Sequence, residues 1–233
     1  MAGLLINSQK EKIFPQEVIS GLIAVLDYEA GNLASVIRSL IALEAQATVI
    51  RNPAGVEQAD RVIFPGVGAA GQAMANIRRF GLDQALRHAY ETGKPILGIC
   101  LGAQIILHHS AENDTPCLGL LPGEVRRLIP PALDPMGRRL KIPHMGWNQV
   151  RFLRRHPLFV GLPEGAEFYF VHSYYPSPAD ASQVLGITDY GQEFPSVIGY
   201  KNLVATQFHP EKSGRFGLLL LKNFLAWDGR DAE

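Results

Sequence analysis

Chemistry in this chain can be built around Cys100. It lies in Pro95-Ile96-Leu97-Gly98-Ile99-Cys100-Leu101-Gly102-Ala103-Gln104, where an apolar strand passes into a helix and glycines flank the junction. A sharp strand-to-helix turn lifts one side chain clear of the sheet, and the glycines permit the tight bend. The helix start offers free N–H groups and a partial positive charge, both of which favour a thiolate. Gly-x-Cys-x-Gly is the thiol counterpart of the serine nucleophile elbow. A lone cysteine in an apolar strand is ordinarily inert core, and a reactive one needs a base to accompany it.

Val204-Ala205-Thr206-Gln207-Phe208-His209-Pro210-Glu211-Lys212-Ser213 supplies it. A thiol nucleophile needs a base that takes its proton and returns it to the leaving group, and imidazole does this near neutral pH. The base needs an orienting partner on its other nitrogen, for which a carboxylate is suited. His209 and Glu211 stand at i and i+2, which point the same way in extended chain, and Pro210 is expected to hold the pair extended. Alone, the pair would read as well as a surface His beside a solvated Glu. Cys117, in Asp114-Thr115-Pro116-Cys117-Leu118-Gly119, has no such base motif nearby and reads as structural or incidental.

The elements that must position these groups follow from hydrophobic period. Leu22 to Leu26, Ala47 to Ile50, Arg61 to Phe64 and Pro95 to Ile99 read as buried strands. Between them, Asn32 caps a helix with Leu33, Val36, Ile37, Leu40 and Ile41 on its apolar face, and helical patterns run over 70–79 and 82–91. Strands alternating with helices imply parallel pairing and right-handed crossovers. The expected fold class is therefore α/β, a doubly wound, mostly parallel sheet with helices on both faces. From Pro122 to Tyr200 short strands such as 168–171 and 196–200 predict an antiparallel extension. The chain closes with Ser213 capping a helix that presents Phe216, Leu219, Leu220, Phe224 and Trp227. In open α/β sheets ligands sit beyond the carboxyl ends of strands, where Cys100, the Gly66–Gly68 loop and His209 all fall.

Composition bounds the rest. The 233 residues, 47% of them hydrophobic, suffice for a sizeable core without a staple. Lysine plus arginine balances aspartate plus glutamate at 22 each, which argues against nucleic acid or an anionic membrane as partner. Two cysteines are too few for a disulfide framework, and a catalytic thiol favours a reducing, cytoplasmic compartment. No apolar run approaches the roughly 20 residues that span a bilayer. The first residues do not read as a secretory signal, because Lys10-Glu11-Lys12 follows the short apolar stretch instead of preceding it. No metal or cofactor motif is expected.

Taken together, Gly98-Ile99-Cys100-Leu101-Gly102-Ala103-Gln104 and His209-Pro210-Glu211 resemble the class I, triad-type glutamine amidotransferases. That resemblance runs from about Leu22 to Trp227. It implies a domain over 22–233 preceded by an extension over 1–21. Asp27-Tyr28-Glu29-Ala30-Gly31-Asn32-Leu33, Pro65-Gly66-Val67-Gly68-Ala69, Pro143-His144-Met145-Gly146-Trp147-Asn148 and Phe170-Val171-His172-Ser173-Tyr174 narrow it. That set is similar to the glutaminase subunits of imidazole glycerol phosphate synthase.

The resemblance implies roles. Cys100, His209 and Glu211 would be the triad. The N–H of Leu101, which directly follows the nucleophile, and that of Val67 would form the oxyanion hole. Gly66, Gly68, Gln104, Glu112, Ser173 and Tyr174 would hold L-glutamine, with Gln104 and Glu112 sharing one face of the helix after the nucleophile and Glu112 meeting the α-ammonium. Ser173 and Tyr174 would meet the α-carboxylate through backbone, and His172, with no acid beside it, would be structural. Asn32, Met145, Trp147, Asn148 and Lys212 would contact a partner.

A partner is also implied chemically, since ammonia released into water becomes mostly ammonium, a poor nucleophile. The family supplies a (β/α)₈-barrel cyclase subunit. Two other readings remain open at this point: a glutaminase serving a different synthase, and an elbow-cysteine redox or chaperone-like protein without glutaminase activity.

Overall fold

Along the central strands, alternate residues enter two separate cores. In β1 (Ile23–Leu26), Ala24 and Leu26 join one core while Ile23 and Val25 join the other. The same alternation runs through β3 (Arg61–Gly66), β4 (Ile96–Cys100) and β14 (Leu203–Thr206), where Val62, Ile96 and Ala205 face one way and Ile63, Leu97 and Val204 the other. Strands buried on both faces must be apolar throughout, which is why these segments read as continuous hydrophobic runs. The structure, a computed structural model, describes residues 21–230 except 32, 132, 134, 135 and 138. The extension expected over 1–21, all but Gly21, lies outside the described residues, and so does Asn32.

One core is covered by α3 (Ala70–Arg79), α4 (Leu82–Glu91) and the short α5 (Leu101–Ile105), through Met74, Ile77, Leu86 and Leu101. The other is covered by α1 (Leu33–Ala42) and α6 (Gly214–Ala226), through Val36, Leu40, Leu220 and Phe224. With β2 (Ala47–Ile50), β12 (Val184–Asp189), β13 (Glu193–Tyr200) and β9 (Arg151–Phe152), the main sheet runs β2-β1-β3-β4-β14-β13-β12-β9. The first five strands are parallel and the last three pair antiparallel. A second small sheet, β11-β7-β5-β6, uses Tyr174–Pro178, Gly123–Arg127, His109–Ser110 and Thr115–Pro116. A two-stranded ribbon pairs β8 (His144–Gln149) with β10 (Glu167–His172). This is the doubly wound sheet with an antiparallel extension that the sequence predicts.

Four local expectations need correction. Ile41 is 66% exposed, because it lies about 140° around the helix from Val36 and so leaves the buried stripe. A helix stands at Pro53–Gln58 (α2) where none is expected, with Asn52 capping it through the Gly55 N–H and proline in its first turn. Ser213 holds the N-cap position of α6 but does not cap it through its side chain; its hydroxyl donates to the His209 carbonyl at 2.6 Å and accepts the Tyr169 N–H at 2.9 Å. Finally, α5 stops at Ile105. The carbonyls of Ile105, Ile106 and Leu107 accept N–H groups from Leu118, Leu120 and Gly119, so the helix cannot continue to Glu112. Glu112 sits instead in a 3₁₀ turn, and its carboxylate accepts the Ala70 N–H at 2.7 Å.

Candidate active site

Three parallel strands end at one rim. Gly66 of β3 is paired with Cys100 of β4, and Thr206 of β14 is paired with Ile99. The fold therefore brings the ends of three distant stretches side by side. Cys100 itself adopts φ 54°, ψ −103°, a left-handed conformation that costs a non-glycine residue about 1–3 kcal/mol. Surrounding contacts enforce it. A Cβ at Gly102 would collide with the Phe64 carbonyl oxygen, and one at Gly98 would sit 2.9 Å from Ala205 Cβ. The two glycines thus let α5 press on β3 and β4 press on β14, and the cysteine between them takes the strain.

His209 is fixed from both sides. Its N–H donates to the Tyr169 carbonyl at 2.9 Å, and its Nδ1 lies 2.7 Å from Glu211 Oε1, with both side chains 3% exposed. The pair is not extended as expected. His209 is (φ −100°, ψ 94°), but Pro210 opens a 3₁₀ turn that folds Glu211 back onto its ring. A carboxylate only accepts, so Nδ1 carries the proton and Nε2 is left buried without a regular hydrogen bond. Burial alone would lower the imidazole pKa. The Cys100 sulfur and the Glu211 carboxylate outweigh it and raise the value to about 10. A ring that keeps its proton beside a sulfur is what a thiolate nucleophile requires.

The expected oxyanion donors differ in state. Leu101 is the first residue of α5, so its N–H has no intrahelical acceptor. The Val67 N–H donates to the Ala30 carbonyl at 2.8 Å and is not aimed at a ligand. Among the expected glutamine contacts, Gly66 is buried beneath the Tyr28 hydroxyl, and Gly68 is exposed at φ 98° with open space beside it. Gln104 is buried, and its amide N–H groups donate to the Tyr174 carbonyl at 2.8 Å and Gln207 Oε1 at 3.0 Å. Ser173 joins β10 to β11, and its carbonyl accepts the Leu128 N–H at 2.9 Å. Glu112 does not share a helix with Gln104.

Of the expected partner contacts, Met145 and Trp147 are 62% and 55% exposed on β8. Asn148 is half-buried and donates to the Asp189 carbonyl at 2.8 Å, while Lys212 ends the turn that carries Glu211. Cys117 is half-buried with its thiol pKa pushed up to about 11, chiefly by burial, which leaves it unreactive. His172 is buried and its pKa is lowered to about 3, first by burial and then by His144, so it cannot serve as a base near neutrality.

Two buried residues of the site escaped the sequence reading. Gln207 Nε2 lies 3.6 Å from Cys100 Sγ, and the i, i+2 spacing used for Glu211 would equally have pointed from His209 back to Gln207. The Tyr28 hydroxyl is buried without a hydrogen-bond partner, and its pKa is raised by burial and by Cys100. No sequence signal distinguishes it from a core aromatic.

A strained cysteine at a strand-to-helix turn, facing a His–Glu pair just beyond the end of a neighbouring parallel strand, is the arrangement of a thiol amidase. The family described as Glutamine amidotransferase class-I matches residues 24–227, and the chain belongs to it. Its fold agrees with a crystal structure of a glutamine amidotransferase (TM-score 0.67, 21% identity, covering 89% of this chain and 98% of that one). It agrees as well with the PurLQS structure from Thermotoga maritima (TM-score 0.67, 18% identity, covering 88% and 97%). Within the family, the imidazole glycerol phosphate synthase subunit HisH of Chromobacterium violaceum is 50% identical over 210 residues, 89% of this chain and 98% of the relative. The HisH subunit of Neisseria meningitidis is 48% identical over 210 residues, 88% and 99%. The chain is thus a member of the HisH group of class I glutamine amidotransferases.

Proposed function

We propose that this chain is the glutaminase subunit of an imidazole glycerol phosphate synthase, releasing ammonia from L-glutamine for a (β/α)₈-barrel cyclase subunit in histidine biosynthesis. The amidotransferase domain then spans 22–233, with 1–21 as an extension, and the compartment is the cytoplasm. The carrying observation is the convergence of Cys100, His209 and Glu211 at one rim. Among the described residues no helix is long and apolar enough to cross a membrane.

In the proposed cycle the Cys100 thiolate attacks the side-chain amide carbon, forming a C–S bond and a tetrahedral oxyanion. The Leu101 N–H supports that charge at once. The Val67 N–H can do so only after leaving Ala30, and one such donor typically changes the rate by about 10²–10³. His209 gives its proton to the departing nitrogen as the C–N bond breaks, leaving a thioester and ammonia. Water then attacks the thioester carbon, His209 takes its proton, and the C–S bond breaks to give glutamate and the thiolate. Glu211 holds the ring in the tautomer with its proton on Nδ1.

Exposed Met145 and Trp147, on the strand paired with β10, favour a docking face beside the site. The test is glutamate release by the wild type and by Cys100→Ala, each with and without a matched cyclase. The wild type should be slow alone and faster with the cyclase, and Cys100→Ala should be inactive in both. Turnover by folded Cys100→Ala would end this reading.

A further inference from the structure

Two hydrogen-bonded branches, with each donor and acceptor fixed by chemistry, meet at the Tyr174 carbonyl, one from the β8 face and one from the sulfur of Cys100. The Tyr174 carbonyl can only accept, so His172 Nδ1, 2.8 Å away, carries a proton. Neutral His172 then offers Nε2 as an acceptor, and His144 Nδ1 donates to it at 2.9 Å. His144 Nε2 in turn accepts from Asn148 Nδ2 at 3.3 Å. From the same Tyr174 carbonyl the second branch runs inward. Gln104 Nε2 donates to it at 2.8 Å and to Gln207 Oε1 at 3.0 Å, which leaves Gln207 Nε2 to donate to Cys100 Sγ at 3.6 Å. Because both glutamine amides are oriented by the carbonyl, Gln207 cannot turn its oxygen toward the sulfur without setting NH₂ against NH₂.

We propose that Gln207 is a positioning residue for the Cys100 sulfur, its amide held donor-first by Gln104 and the Tyr174 carbonyl. A satisfied core glutamine would need no such alignment. Gln207 is fully buried, Gln104 is 6% exposed, and their hydrogen bonds end on the sulfur that attacks as a thiolate in the proposed cycle. An N–H donor to sulfur matters little for the thiol and much for the thiolate, since hydrogen bonds to charged groups are roughly twice as strong. The ionisable groups that act on Cys100 are His209 and Tyr28, and His172 acts on His209. Gln207 therefore adds an uncharged, directional contact beside the His209 charge.

The inference rests on Cys100 being the nucleophile, which an electrophilic glutamine analogue tests separately by labelling wild-type Cys100. For Gln207 itself, iodoacetamide alkylation of the Cys100 peptide is followed against pH in the full-length wild type, Gln207→Met and Gln207→Glu. Both substitutions should move the profile to higher pH. Both should also lower kcat about ten- to a hundredfold with KM little changed. A folded variant with the wild-type profile and kcat would overturn the proposal. A measurement on the wild type needs no variant to fold. Side-chain amide ¹⁵N NMR should show the Gln207 Nε2 signal moving with the same pH midpoint as Cys100 alkylation, and a Gln207 signal indifferent to pH would equally refute it.

Discussion

Trp147 and Tyr169 stand directly opposite in the β8–β10 ladder, their rings 6.2 Å apart and edge-on, and the Tyr169 carbonyl holds the His209 N–H. The exposed face of the ribbon is thus one residue pair away from the backbone that seats the base. Val171, two residues on, places its carbonyl 3.9 Å from Cys100 Sγ. Any protein docking on Trp147 presses on the strand that lines the site.

From this follows an expectation for the interface. Trp147→Ala should weaken binding of the cyclase by about thirtyfold or more, as for an aromatic anchor, while leaving thermal stability close to wild type because the ring is half exposed. Titration calorimetry with the cyclase reads the affinity and a thermal melt reads the fold. Equal affinity for both proteins would rule the ribbon out as the anchor.

Glu211→Gln keeps the shape of the side chain but removes the charge that fixes the His209 proton on Nδ1. A triad carboxylate replaced by its amide typically loses about 10²- to 10⁴-fold in kcat. Glutamine hydrolysis by the purified variant should fall within that range at similar KM. A loss below about threefold would show that orientation comes from the backbone contacts alone.

Stability should depend on pH in two opposite ways. His172 and His144 are lowered to about 3 and about 4 mainly by burial, so below about pH 6.5 the unfolded chain binds protons that the folded one refuses. Stability from these groups is complete above that pH and is lost as pH falls toward 4. His209 is raised to about 10, so its contribution is complete below about pH 6.5 and declines as pH rises toward 10. Urea midpoints measured from pH 4.5 to 9.5 should pass through a maximum near neutrality, and His172→Gln should flatten the acid limb. An acid limb unchanged in that variant would contradict the assignment.

Gly102→Ala tests the elbow. The added methyl meets the Phe64 carbonyl, a backbone atom that cannot rotate away, so α5 must shift off β3. A loss of about 1–3 kcal/mol in urea unfolding is expected, together with reduced Cys100 alkylation. A neutral substitution would mean that the turn tolerates looser packing than these contacts imply.

The parallel sheet was legible because strands buried on both faces leave unbroken apolar runs, as at Ile23–Leu26 and Ile96–Cys100. The Cys100 turn was legible because glycines are needed on both sides of it. What the sequence withheld was set by tertiary contacts. The length of α5 is decided by N–H groups of Leu118 to Leu120, and the geometry of Glu211 by a 3₁₀ turn invisible in an i, i+2 count. The Val67 N–H direction depends on the Ala30 carbonyl across a loop. Gln207 was visible as a residue, but its meaning lies in a chain of donors that no local pattern encodes.

The sheet order carries one more consequence. β14 sits between β4 and β13 although more than a hundred residues separate it from β4, so Cys100 acquires its base only when that distant strand slots into place beside β4. Where that strand is unpaired, Cys100 stands without His209, so activation of the thiol depends on the longest-range pairing in the parallel part of the sheet.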